Sequence, residues 1–267
     1  MHPQLIRIGD FFLPTYGALV ALGFVLALWV ASKLAHRGGM DPDKVVGLGV
    51  YCALAGIIGA KLLMFVFDLD YYWSHPGEMF SLNTLQSGGV FQGGLVLALI
   101  TAYVYMRKKG LPVLATADAF APGVALGHAI GRMGCFSAGC CWGIECHRPW
   151  AVTFTNPISG EMFGTPLNIP LHPTQLYEAA GEFIIFAWLY RFYFRERRQG
   201  TVIGLYLMLY SLLRFIVEFL RAHDHPNPFG GPFSTTQWLS IGLAALGLWL
   251  FYRRKAAPAH GKGAARA

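Results

Sequence analysis

Gly131-Arg132-Met133-Gly134-Cys135-Phe136-Ser137-Ala138-Gly139-Cys140-Cys141-Trp142-Gly143 closes a long apolar run with an arginine and then breaks into a cysteine-rich stretch. A guanidinium at the edge of a hydrocarbon layer is costly, so it normally faces a partner or a ligand. Whether a hydrocarbon layer is present decides the fold, and the composition around this stretch answers that. Of the 267 residues, 55% are hydrophobic and 13% charged, against about 25% charged in a soluble domain. Mean hydropathy is +0.45. Several apolar runs reach the roughly 20 residues that a helix needs to cross a bilayer. The expected fold is all-α and polytopic.

On either side of Arg132, seven spans are expected: Pro14–Leu34, Lys44–Phe67, Gly88–Met106, Val113–Met133, Pro173–Tyr193, Thr201–Arg221 and Thr235–Tyr252. They form one integral-membrane domain over residues 1–255. The loop 134–172 is the largest piece outside the membrane, and the tail 256–267 is expected to be disordered. The first run lacks a small-residue cleavage site and is expected to be a retained span.

The net charge of +7 does not point to nucleic acid, because the bases gather in alternate short loops. Lys33, Arg37 and Lys44 flank the first connection, Arg107, Lys108 and Lys109 the third, and Arg191, Arg195, Arg197 and Arg198 the fifth. Arg253, Arg254 and Lys255 follow the last span. The intervening loops carry Asp68, Asp70, Glu78, Glu145, Glu161 and Asp224. Lys and Arg stay on the cytoplasmic side, so the N-terminus is expected outside and the C-terminus inside, as seven crossings require.

With that topology the unusual polar residues fall in one outward band. Tyr16 opens the first span, Gln92 lies among Gly88, Gly89, Gly93 and Gly94, and Arg132 ends the fourth. The string His172-Pro173-Thr174-Gln175-Leu176-Tyr177-Glu178 opens the fifth. Tyr210, Arg214, Glu218 and Arg221 share one helix face by their spacing of four, four and three. Arg214 lies roughly 20 Å along a ~30 Å layer. Arginines at that depth suit an anionic lipid phosphate, because a guanidinium pairs with phosphate oxygens through two hydrogen bonds. Glu218 and His172 would orient them or move protons. Against this, Arg214 and Glu218 could form an ion pair that only fixes helix register, and the glycine pairs could be packing devices. A lone His128, one turn before Arg132, is weak evidence by itself.

Taken together, Tyr16-Gly17, the glycine pairs around Gln92, Gly131-Arg132-x-Gly134-x-Phe136, Gly143, the His172–Glu178 string and Arg214-Phe215-x-x-Glu218-Phe219-x-Arg221 resemble the prolipoprotein diacylglyceryl transferase family of bacterial inner membranes. The resemblance implies transfer of the diacylglyceryl group of phosphatidylglycerol to a lipobox cysteine of a preprolipoprotein, with release of glycerol phosphate. It implies that Arg132 and Arg214 hold the phosphate, that Tyr16, Tyr210 and Glu218 complete the cavity, and that Gly143 lies in a loop over it. His172 joins this set as a catalytic candidate. Gln92, Gly93, Gly94, Gly134, Cys135, Cys140, Gly143, Gln175, Tyr177, Glu178, Tyr210 and Arg221 are the expected substrate-binding residues. No cofactor and no metal are implied, and a monomer is expected.

Departures from the family pattern fall inside this set. Gln92 stands where the family has a histidine, often proposed as the base for the acceptor thiol, and glutamine takes up no proton at neutral pH. Cys135 stands for an asparagine, and Ala138 and Cys140 for later asparagine and acidic positions. Either His172 or His128 supplies the base, or the chain is a paralogue with another acceptor or a lipid-binding relative. Cys135, Cys140, Cys141 and Cys146 face an oxidising compartment in this topology, which favours disulfides. A metal site with His147 and a thiol that carries lipid transiently are the alternatives.

Overall fold

The structure is a computed structural model that describes residues 3–8, 11–81, 84, 88–222, 228 and 231–253. Asp224, Arg254, Lys255 and the tail 256–267 lie outside the described residues. The described residues are mostly helical, with two small two-stranded sheets among them. It divides into two compact units, Met1–Ala27 with Ala121–Ala267, and Leu28–Phe120.

Helix α1 covers Thr15–Arg37. In the Leu28–Phe120 unit, α2 (Pro42–Phe67) begins at an Asp41 cap whose side chain accepts from the Asp43 N–H, with Pro42 in the first turn. A short α3 (Leu69–Ser74) and a 3-10 turn follow, and then α4 (Phe91–Lys109). α2 and α4 touch backbone to backbone through small residues. A Cβ on Gly93 would strike the Gly59 carbonyl and lie 2.5 Å from Leu63 Cβ, and one on Gly94 would lie 2.7 Å from the Gly56 oxygen. The Val90 N–H also donates to the Ala60 carbonyl at 3.0 Å. Gln92 and Gly93 line an apolar groove of about 380 Å³ on this pair, with Leu62, Val66 and Val96.

In the other unit, strands β1 (Gln4–Ile8) and β2 (Phe11–Pro14) pair antiparallel ahead of α1. Helix α5 runs Val113–Ala138. The start of α1 packs on it along another small-residue seam: Gly23 meets Gly127, Ala27 meets Gly123, and Tyr16 with Leu19 meets Gly134. α5 therefore continues five residues past the expected end at Met133. The absent side chain of Gly134 serves helix packing here, and the connecting loop begins at Gly139. That loop holds β3 (Val152–Thr153), α6 (Pro157–Phe163) and β4 (Pro170–Leu171), with β3 and β4 paired. α7 (Thr174–Tyr193), α8 (Thr201–Glu218) and α9 (Thr235–Tyr252) complete the unit. α8 and α9 cross at Gly204 and Gly247.

α7 shows which solvent the fold is built for. Its buried face is Thr174, Gln175, Glu178, Ala179, Glu182, Ile185, Leu189 and Tyr193, while Ile184 is 68% and Trp188 52% exposed. Polar groups inside and large apolar groups outside would be unstable in water, but they suit a helix in lipid. The architecture is that of a helical membrane protein. Among the described residues, α1, α2, α5 and α8 are both long and apolar enough to cross a membrane. α4, α7 and α9 are 19, 20 and 18 residues long. The first two of these are less apolar because α4 ends in Arg107, Lys108 and Lys109 and α7 carries its inward carboxylates.

Candidate active site

Three helices of the larger unit bring four charges into one line. Arg132 Nη2 from the end of α5 lies 2.7 Å from Glu178 Oε1 on α7, and Arg214 Nη1 on α8 lies 3.4 Å from the same oxygen. Arg214 Nη2 in turn lies 2.6 Å from Glu218 Oε2, one turn further along α8. The chain of alternating charge ends where Ser234 Oγ donates to Glu218 Oε1 at 2.8 Å. Ser234 is also the cap of α9, in a reciprocal capping box with Gln237. All four charged side chains are 11% exposed or less.

Such burial is not explained by stability alone. Taking charges out of solvent costs several kcal/mol per ion, and mutual attraction repays it only when every donor finds an acceptor. Here Arg132 Nε is buried with no hydrogen-bond partner among the described residues, and Arg214 Nη1 has only its 3.4 Å ion pair with Glu178. Native structures rarely leave such donors orphaned, and each one needs an explanation. Two converging guanidiniums, one with an unfilled Nε–H, match the oxygens of a phosphate.

A second layer backs this line. His128 Nδ1 lies 3.0 Å from Glu182 Oε1, and its Nε2 lies 4.0 Å from Glu178 Oε2. Tyr210 sits against His128, ring centroids 5.6 Å apart, and stacks on Tyr206. Tyr16 packs against Gly134.

At the end of α5 the backbone turns through Gly139 (φ 86°), whose N–H closes on the Cys135 carbonyl at 2.9 Å, and Cys141 (φ 62°). The turn is pinned by α7: Gln175 Nε2 donates to the Cys140 carbonyl at 2.6 Å and Thr174 Oγ1 to the Cys141 carbonyl at 2.8 Å. The Sγ atoms of Cys135, Cys140 and Cys141 all lie within 4.8 Å of one another, and Arg132 Nη1 donates to Cys135 Sγ at 3.6 Å. Hydrogen bonds from Cys135 and Cys140 hold the Cys141 thiol well below the ordinary thiol range, helped by Arg132 and Arg221, while the same network pushes Cys140 up. The expected disulfides do not form: all five cysteines are free thiols. Cys146 is separate, its sulfur accepting from the Arg148 N–H. His147 is exposed and pairs with Glu145 at 3.3 Å, so it does not join the cluster.

Over this turn lies a backbone clamp. Gly143 N–H donates to the His172 carbonyl at 3.0 Å, Ile144 N–H to the Leu220 carbonyl at 2.9 Å, and Gly143 pairs with Arg221 as an antiparallel bridge. A Cβ at Gly143 would strike the Leu220 oxygen and lie 2.6 Å from His172 Cβ, so only glycine fits. His172 Nδ1 and Tyr177 Oη lie 3.1 Å apart, and Tyr177 also bonds with Trp150.

Of the residues singled out by sequence, Arg132, Arg214, Glu178 and Glu218 come together, with Tyr16, Tyr210, Gly134, Cys135, Cys140 and Gln175 around them. His172, Tyr177, Gly143 and Arg221 build the clamp and its rim. Gln92, Gly93 and Gly94 belong to the α2–α4 pair described above. Sequence reasoning missed Glu182 and Ser234. Glu182 could have been found, because it repeats Glu178 one turn on. Ser234 could not, since only the fold brings it to Glu218.

A sequence model described as prolipoprotein diacylglyceryl transferase matches residues 3–253. Among relatives named phosphatidylglycerol–prolipoprotein diacylglyceryl transferase, one from Clostridium tetani is 34% identical over 252 residues, covering 94% of this chain and 97% of its own. One from Finegoldia magna is 35% identical over 242 residues, 90% of each chain. One from Geobacter sulfurreducens is 36% identical over 269 residues, 97% of this chain and 98% of its own. Matched over nearly its whole length, this chain belongs to the prolipoprotein diacylglyceryl transferase family.

Proposed function

We infer that this protein is a transferase that moves the diacylglyceryl group of phosphatidylglycerol onto the thiol of a lipobox cysteine in a preprolipoprotein and releases glycerol phosphate. The observation that carries this reading is the convergence of Arg132 and Arg214 on Glu178, with Arg132 Nε buried and without a hydrogen-bond partner. The acceptor sulfur attacks the glyceryl carbon that carries the phosphate. The C–O bond breaks, and negative charge builds on the departing phosphate. Donors already fixed in a dry site stabilise that charge without having to reorganise. Glu178 and Glu218 hold the two guanidiniums in place, and the Glu182–His128 pair supports Glu178 from behind.

The lipid setting follows from the same reading. Seven crossings in a single membrane domain over residues 1–255 put the N-terminus outside and the C-terminus inside. The guanidinium pair then sits at the depth of the outer headgroups of a bacterial inner membrane, where phosphatidylglycerol and the acceptor both reach it, and the protein acts as a monomer. A specific observation favours a second reading, a paralogue with a different acceptor: Gln92, Cys135, Ala138 and Cys140 replace polar positions of the family pattern.

Replacing the host's diacylglyceryl transferase with this protein separates the two. Growth with lipidated lipoproteins is the expected result. Failure to support growth, despite stable expression in the membrane, rules out the lipobox acceptor and leaves the paralogue.

A further inference from the structure

We propose that Cys135, Cys140 and Cys141 form a three-thiolate site for a zinc-class divalent ion, whose open fourth position takes the thiol of the acceptor. The second half rests on the transferase reading above, and the first half does not.

Three sulfurs lie within 4.8 Å of one another, and a tetrahedral zinc with bonds of about 2.3 Å spaces its sulfurs by about 3.8 Å. Closing that gap requires small side-chain rotations. A disulfide instead demands a sulfur separation near 2.05 Å, and none of the three is so paired. The sulfurs come from the last turn of α5 and the turn behind it, which Thr174 and Gln175, both fully buried, grip by the carbonyls of the two ligand residues. Cys141 holds a left-handed backbone that side chains avoid, at a cost of about 1 kcal/mol or more. That cost has a purpose if the turn aims its sulfur inward.

Donor type and charge select the ion. Thiolates alone suit zinc and other soft ions. Three thiolates with a divalent ion leave one net negative charge, and Arg132 supplies the counter-charge through its contact with Cys135 Sγ. Three protein ligands with one vacant position is the pattern of a catalytic zinc, where a structural one has four.

The chemistry repairs what the sequence lacks. Gln92 cannot serve as a base. A thiol that coordinates zinc is deprotonated outright, so its proton leaves to water before the transfer begins. The bound sulfur then uses a lone pair to form the C–S bond. The C–O bond breaks, its electron pair leaves with the glycerol phosphate, and no electrons enter or leave the system.

The test uses full-length protein in detergent, purified under reducing conditions, incubated with zinc and dialysed. The expected result is one zinc per chain in wild type and in Cys52→Ser, and close to none in the Cys140→Ser, Cys141→Ser double variant. Loaded with cobalt in place of zinc, wild type should show thiolate-to-metal absorption that rises by about a third, from three sulfurs to four, on addition of a lipobox peptide, and not with its serine analogue. Wild type without stoichiometric metal overturns the proposal, as does equal metal in the double variant, or a Cys140–Cys141 disulfide in protein alkylated directly from cells. A cobalt spectrum indifferent to the peptide overturns the open position. Transfer at the wild-type rate by the metal-free double variant overturns this inference and leaves the transferase reading intact. A metal-loaded, peptide-binding protein that transfers nothing overturns the transferase reading and leaves the metal site.

Discussion

Glu178 carries more of the site than its spacing in the sequence suggested. Both guanidiniums reach one of its oxygens, and removing one partner from a buried ionic network costs about 3–5 kcal/mol. Glu178→Gln should therefore lower the unfolding midpoint markedly in detergent, measured by thermal melt. Glu145→Gln, whose exposed partner is His147, should leave it within error. Gly143→Ala should push the clamp apart, because its Cβ has no room against Leu220 and His172. Loss of activity with the helical signal retained is the expected outcome, read by transfer assay and circular dichroism. The residues of the candidate site stood out in the sequence because intramembrane charge is rare and Tyr210, Arg214 and Glu218 recur every four residues on α8. What spacing cannot give is pairing. Arg214 with Glu218 followed from i,i+4, whereas the Arg132–Glu178 contact joins helices that are 46 positions apart in sequence and appears only once α5 and α7 pack. The cysteines were misread for a related reason. Compartment chemistry favoured disulfides, but backbone turning at Gly139 and Cys141 sets three sulfurs facing one another.

At the level of the element, small residues decide which helices touch. Gly93→Leu should force α4 off α2 and destabilise by about 1–3 kcal/mol, seen as earlier unfolding. The same change at Gly88, which has open space around it, should be mild. Ser234→Ala removes both the α9 cap and the bond to Glu218. It should cost about 1–2 kcal/mol by the cap alone, with some loss of activity as well. Helix positions were readable from apolar runs to within a few residues. The end of α5 was not, since a glycine that packs against Tyr16 reads in sequence like one that ends a helix. The polar inward face of α7 hid the amphipathic pattern expected in water, because lipid reverses which face is apolar.

For the whole molecule, the topology claim has its own test. Introduced cysteines at His147 and at Lys108, in a background lacking the native ones, should react with a membrane-impermeant maleimide in intact cells only at position 147. Labelling of Lys108→Cys alone would reverse the orientation, and labelling of both would contradict it. Helices from distant parts of the chain bring two guanidiniums to one buried carboxylate with Arg132 Nε left unbonded, and in the proposed function that pair binds a lipid phosphate as it departs. The most direct measurement is mass spectrometry of glycerol phosphate and diacylglyceryl-peptide formed from phosphatidylglycerol and a lipobox peptide by wild type, Arg132→Gln and Arg214→Gln. The account predicts both products from wild type in equal amounts and a fall of about 10²–10³-fold in each variant. Undiminished product from either variant would contradict it.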